Sequence, residues 1–243
     1  ARRPWLRSRG NAVMAVPTRV SGSTTTSSVG AGSYLLPTSW AQNDVLVFVY
    51  ETANETASFP PSGWTSLVSL GTGTAGGTSA TKLHICYRIA TASESGLSVP
   101  DQGDHQLGLI FGYRGVDLVN PIDTTPTTSV EASGSTSVTL PSITTLTDDC
   151  LVVSYVVDAT DTATLQAGSL SWAGVTSPTL GEVRTSVGNG GGISYVHAQK
   201  PTAGSTGSGS LTLTTSSVQV RATVAFRSAT PPTTARPQVF VVT

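Results

Sequence analysis

Val45 to Tyr50 reads VLVFVY, and Leu151 to Val157 in the second half reads LVVSYVV. Such runs do not alternate, so they predict strands covered on both faces. Leu83, Ile85 and Tyr87 alternate with His84, Cys86 and Arg88, the period of a half-buried strand. Further strands are expected at 64–70, 107–113, 138–141, 170–175, 193–196, 211–213 and 218–226. Pro60–Gly63, Gly71–Ser79, Gly115–Pro121 and Gly188–Gly192 supply the turn chemistry between them. No convincing amphipathic helix is found, and the chain reads as all-β.

The second half of the pattern repeats the first. Leu36-Pro37, Asp44-Val45-Leu46-Val47, Gly63-Trp64, Tyr87 and Tyr113-Arg114 return as Leu140-Pro141, Asp149-Cys150-Leu151-Val152, Ser171-Trp172, Tyr195 and Phe226-Arg227. The offset widens from 104 residues at the Leu-Pro pair to 113 at the close, the drift expected of a duplicated unit that gains short loop insertions. Short strands at regular spacing with Gly, Pro and Ser turns predict a β-sandwich or jelly-roll-like fold built from two five- to six-stranded units. The duplicated body covers 21–228, with halves of about 21–117 and 124–228. Two tandem sandwiches and one interlocked sandwich both fit. Asp117–Glu131 carries strand-like residues of its own, which favours one domain.

The ends differ from the body. Arg2, Arg3, Arg7, Arg9 and Arg19 precede the first acid, Asp44, so 1–20 is a basic arm, with Trp5 and Leu6 as an apolar anchor. At the other end, 229–243 is a Thr/Pro spacer of polyproline II type leading to Val239, Phe240, Val241 and Val242. An apolar strand of that kind calls for cover, from its own sheet or from a neighbouring subunit. These two segments are the expected docking elements.

Composition narrows the function. Charged residues are 11% of the chain and the net charge is −1, so the molecule as a whole exerts no long-range pull on nucleic acid or an anionic membrane. Thr, Ser and Gly carry the polarity instead. Asn11–Val16 is too short for a signal-peptide core before Pro17, although the composition is that of an extracellular β protein. Cys86 and Cys150 give no disulfide framework and read as free, small hydrophobes.

Candidate chemistry is thin. His84, His105 and His197 sit in no catalytic motif, and neither a nucleophile elbow nor a paired metal-binding Cys motif occurs. Three carboxylate pairs, Glu51 with Glu55, Asp101 with Asp104 and Asp158 with Asp161, are placed in loops, where solvated turn acids are expected rather than a glycosidase pair. The two aspartate loops would offer oxygens to calcium, but their ligand count is short. Gly188–Gly192 opens no helix and reads as a hairpin tip rather than a phosphate cradle. Trp64 and Trp172 read as core anchors with their ring N–H bonded to backbone. No enzyme activity, metal or cofactor is expected.

The Leu-Pro turn, the Asp-x-Leu-Val strand, Gly63-Trp64-Thr65, Tyr87–Ala90 and Tyr113–Asp117 together resemble the β-sandwich modules of minor structural proteins of tailed bacteriophages. The resemblance spans about residues 20–228. It implies a non-enzymatic virion component, a capsid decoration or minor tail protein, assembled in the host cytoplasm. The implied partners are capsid or tail subunits and further copies of the chain. A carbohydrate-binding or adhesion module is the alternative, with Asp101, Asp104, Asp158, Asp161 and loop aromatics meeting a cell-surface glycan.

Overall fold

The computed structural model describes residues 15–21, 24–55 and 58–229. They hold strands and turns and no helix. In the first unit the strands are β1 (Thr18–Arg19), β2 (Thr25–Ser28), β3 (Gly32–Tyr34), β4 (Val45–Thr52), β5 (Thr65–Thr72), β6 (Thr81–Ile89), β7 (Leu97–Val99) and β8 (Gln106–Arg114). In the second they are β9 (Thr127–Leu140), β10 (Thr144–Thr145), β11 (Cys150–Asp158), β12 (Ala167–Ser171), β13 (Thr176–Thr185), β14 (Gly191–Lys200), β15 (Gly204–Ser205) and β16 (Gly209–Phe226).

The duplication is one of topology. The first sheet runs β8-β4-β6-β5 with β1 and β2 on the outer edge of β8; the second runs β16-β11-β14-β13 with β9 and β12 on β16. Each unit adds a two-stranded ribbon, β3-β7 or β10-β15, from the same places in the chain order. All pairings are antiparallel. β9 takes on β16 the place that β1 and β2 share on β8, and β12 is additional.

Strand register corrects the sequence alignment. Val45 and Leu151 are equivalent, because they pair with Tyr113 and Phe226, the matched closing residues. Asp44 therefore corresponds to Cys150, and Asn43 to Asp149. Both Asn43 and Asp149 adopt positive φ, 70° and 56°, in the turn that launches the central strand, a conformation Asn and Asp tolerate best among non-glycine residues. Val47 pairs with Tyr87 and Val153 with His197, so Tyr87 matches His197 rather than Tyr195. A one-residue slip would turn every side chain to the other face, so burial holds this register.

Each sheet is apolar on both faces, and three layers cover them. Val45, Val47, Val49, Leu83, Ile85, Leu109 and Phe111 of the first unit meet Leu151, Val153, Tyr155, Ile193, Val220 and Val224 of the second in one shared core. β4 faces β14 and β11 faces β6, the exchange expected when a two-fold axis along the strands relates the units. The outer face of the first sheet (Leu46, Phe48, Tyr50, Cys86, Ile110) is closed by Tyr34, Trp64 and Val99, and that of the second (Cys150, Val152, Val156, Val196) by Val138, Ile143 and Trp172. This cover makes His84 and Cys86 of β6 buried, where a half-buried strand was expected. Both Trp rings are core anchors. Trp172 donates its ring N–H to the carbonyls of Thr206 and Gly207, whereas Trp64 carries the Arg88 guanidinium 4.8 Å above its ring.

Three other expectations shift. The strand expected at 170–175 straddles a turn between β12 and β13. Leu211–Leu213 and Val218–Phe226 join in the single strand β16. Val20, counted in the basic arm, is buried against Gly112, and Thr18–Arg19 pair with β8.

Phe111 lies at the centre of the shared layer, fully buried, with the Tyr195 ring 4.8 Å away. Phe111→Ala is expected to cost about 3–5 kcal/mol in urea unfolding, with one transition retained. Two separate transitions would show that each unit keeps its own core.

Candidate functional site

All strands of the two central sheets run between the same two ends of the molecule, so charged side chains collect at the ends and one polar cluster lies between. At the end where β4 and β11 begin, Arg114 forks onto Asp44 with two 2.8 Å bonds, and Arg227 reaches Asp123 at 3.2 Å. The closing arginines of the two repeats thus have similar roles but acids from different places, since Cys150 stands where Asp44 would be. Asp123 also accepts from the Leu146 amide and the Thr147 hydroxyl. Both described chain ends are fixed here. The Ser228 hydroxyl donates to the Ala15 carbonyl at 2.7 Å, and the Ala229 amide to Gly115 at 2.8 Å. Beside them lies a cavity of about 570 Å³ lined by Asp44, Arg114, Val116, Leu118, Val119 and Ala229, among others.

In the shared core, the Tyr113 hydroxyl stands 2.9 Å from that of Tyr155 and 2.8 Å from Nε2 of His197. Burial, with Arg19 nearby, pushes His197 down to about 3, so the ring is neutral. Donation from Tyr155 to Tyr113 and from Tyr113 to His197 satisfies the three groups. Burial also raises both tyrosines. The cluster ties the sheets together and is closed to any substrate.

The opposite end gathers all three carboxylate pairs. Glu51 and Asp158, expected as solvated loop acids, close β4 and β11 and are fully buried; the sheets face each other to their last residues, which draws these acids inside. Glu51 accepts from Thr81 at 2.8 Å and lies 2.7 Å from Nε2 of His105. Nδ1 of His105 approaches Asp104 at 3.4 Å, and Asp104 receives the backbone amide of Asn189 from the second unit. Gly191 of that unit comes flush against Glu51: a Cβ there would fall 2.6 Å from its carboxylate oxygen. Glu55 accepts the Asp104 amide, and Asp101 the Gly103 amide. Asp158 takes a bidentate bond from Arg184 at 2.7 and 2.8 Å, and Arg184 also binds Glu182. Gly188–Gly190 lie in the hairpin connection between β13 and β14, and Gly191 and Gly192 open β14.

Burial pushes the Glu51 carboxyl up, against the pull of His105. Burial pushes His105 down, but Glu51 and Asp104 outweigh it and hold the ring up at about 9. The ring between Glu51 and Asp104 is thus held toward its protonated form. This Glu–His–Asp chain has the order of a catalytic relay, yet His105 and Glu51 are shut from solvent, and the one hydroxyl on Glu51 belongs to buried Thr81. Its chemistry is cross-linking: it pins the loop at 101–105 and the β13–β14 hairpin to the first sheet. Of the four acids in the adhesion reading, Asp104 and Asp158 are committed to internal partners, whereas Asp101 and Asp161 are exposed.

The remaining candidates are packing groups. His84 is buried against Phe59 at 4.4 Å and pushed down to about 3 by burial, with Lys82 adding to it. Cys86 and Cys150 are free and buried; burial raises both thiols, Cys150 to about 11. Among the described residues, no three His, Cys, Asp or Glu side chains converge as metal ligands would. The docking candidates Arg2, Arg3, Trp5, Leu6, Arg7, Arg9, Val239, Phe240, Val241 and Val242 lie outside the described residues. No local pattern announces the Glu51–His105 bridge, whose partners are 54 positions apart.

Comparison with protein-family models, curated proteins and solved structures finds no match for this chain.

The His105 bridge carries a pH signature. An unfolded His titrates near 6.5, so stability from the raised folded value is fully present below that pH and is lost as pH rises through about 9. Urea unfolding at pH 6.5 and pH 9.5 should show a loss of about 3 kcal/mol, which His105→Gln removes from the difference. Equal slopes in both proteins would contradict the assignment.

Proposed function

We propose that this chain is a non-enzymatic structural protein of a tailed-phage particle, a capsid decoration or minor tail protein, held in place by its terminal segments. Its partners are capsid or tail subunits and further copies of itself, and its setting is the virion, assembled in the host cytoplasm. The observation that carries the reading is that the two described chain ends leave the body side by side at one end, through Ala15 with Ser228 and Gly115 with Ala229. The basic arm and the apolar tail can therefore grip one surface together. Glu51, His105, Asp104 and Asp158 are spent on internal pairs, which supports the same reading. Deleting residues 1–14 or 236–243 is expected to abolish incorporation into particles while the β spectrum of the body persists. Normal incorporation of both truncations would end the anchoring idea.

A carbohydrate-binding module is the second reading. What favours it is an open groove of about 480 Å³ that brings Tyr87, Arg88, Glu94 and the Thr65 and Thr91 hydroxyls together, a mixture of ring face and hydrogen-bonding groups suited to sugars. A glycan-array signal abolished by Arg88→Ala would establish this reading, and a blank array would remove it.

A further inference from the structure

We infer that a cavity at the end of the molecule opposite the described chain ends binds one neutral sugar unit. β9 and β16 fall out of step there. Thr212 pairs with Ser137 and Ser217 with Ser135, so residues 213–216 stand opposite Thr136 alone. Gln219 then pairs with Glu131, which leaves 132–134 opposite Val218 alone. Each strand loops out of the ladder in turn, and Gly134 takes a φ of 79° in its loop, left-handed backbone that glycine adopts without strain. The two bulges, with the β5–β6 connection of the first unit, enclose about 300 Å³. That is the small end of the range ligand sites occupy.

The lining sets the chemistry. Thr78, Ser79, Ser133, Thr160, Thr215 and Ser216 bring hydroxyls to the cavity, and no charged side chain lines it. Ser217 is committed: its hydroxyl accepts the Ala159 amide at 3.0 Å and donates to the Val218 carbonyl at 3.2 Å. This fixes Ala159 and Val218, both buried, as an apolar floor. The other six hydroxyls have no hydrogen-bond partner among the described residues, and the Thr160 oxygen is buried without one. A hydroxyl both donates and accepts, as the hydroxyls of a sugar do, and the apolar floor suits the C–H face of a sugar ring. An ion would lose its hydration here with no opposite charge to replace it. Asp158 closes β11 beside the cavity, whereas Phe226, just before Ser228, pairs at the start of that strand. With the chain ends held on a particle, the cavity faces outward; the inference rests on the anchoring reading for this orientation only.

Saturation-transfer NMR of the full chain with glucose, galactose, mannose and N-acetylglucosamine should show transfer to at least one of them. Thr160→Val removes the unmet hydroxyl at nearly constant shape, and Ser133→Trp, at an exposed position, fills the cavity. Each should keep the parent's circular dichroism and weaken that sugar at least about tenfold. Arg88→Ala, in the separate groove of the first unit, should leave binding unchanged. No transfer to any of these sugars, binding that survives either cavity substitution, binding lost in Arg88→Ala, or equal binding of glucuronate would each overturn the site. Ser133→Trp should still enter particles, so the sugar site and the anchoring reading fail separately. Its exclusion from particles would overturn the outward orientation.

Discussion

A sheet apolar on both faces cannot rest against water on either, and both sheets of this molecule are of that kind. β4 is buried at every position from Val45 to Thr52, and β11 from Cys150 to Asp158. Two such sheets have one economical arrangement: they cover each other inside, and each unit folds its own loops and ribbon over the outside. The three-layer interior follows from this, as does the duplication of the small ribbons β3-β7 and β10-β15. With charged residues at 11% of the chain, few groups are available to decorate the ends, and Asp44, Glu51, Asp123 and Asp158 among them are taken indoors.

Taking them indoors has an energetic logic. A buried ion pair adds little over a well-packed apolar pair, but stranding one partner costs about 3–5 kcal/mol. Arg184 with Asp158 and Glu182, and His105 with Glu51 and Asp104, therefore act as conditions on assembly more than as sources of stability. Each is satisfied only when the strand ends and loops around it are in register. The Tyr113–Tyr155–His197 cluster imposes the same condition in the middle of the apolar layer, where an unpaired hydroxyl or ring nitrogen would be costly. A sandwich held mainly by interchangeable Val, Leu and Ile contacts gains a defined register from three polar knots.

The fold was legible because burial on both faces leaves a mark that single residues cannot hide: VLVFVY and its partner LVVSYVV announce central strands. The details that escaped have physical causes. Tyr195 looked like the mate of Tyr87, but equivalence is set by hydrogen-bond register, and His197 is the residue that pairs with Val153 as Tyr87 pairs with Val47. Gly32–Tyr34 and Leu97–Val99 are too short to show a period, yet they close the outer face. Glu51 and Asp158 looked like loop acids because their neighbours are polar. Only the closeness of the second sheet, visible at Gly191, makes them interior groups. The open groove at Tyr87 and Arg88 and the cavity at Val119 arise where loops from distant parts of the chain meet, and no local pattern encodes that.

Because Ala15 and Ser228 touch, the described body is nearly a closed ring in space. A circularly permuted gene, opened in the exposed turn near Asn120 and joined across the old ends, would trace the same sixteen strands. The two units would still travel as a pair, because each supplies one wall of the shared interior and neither closes it alone.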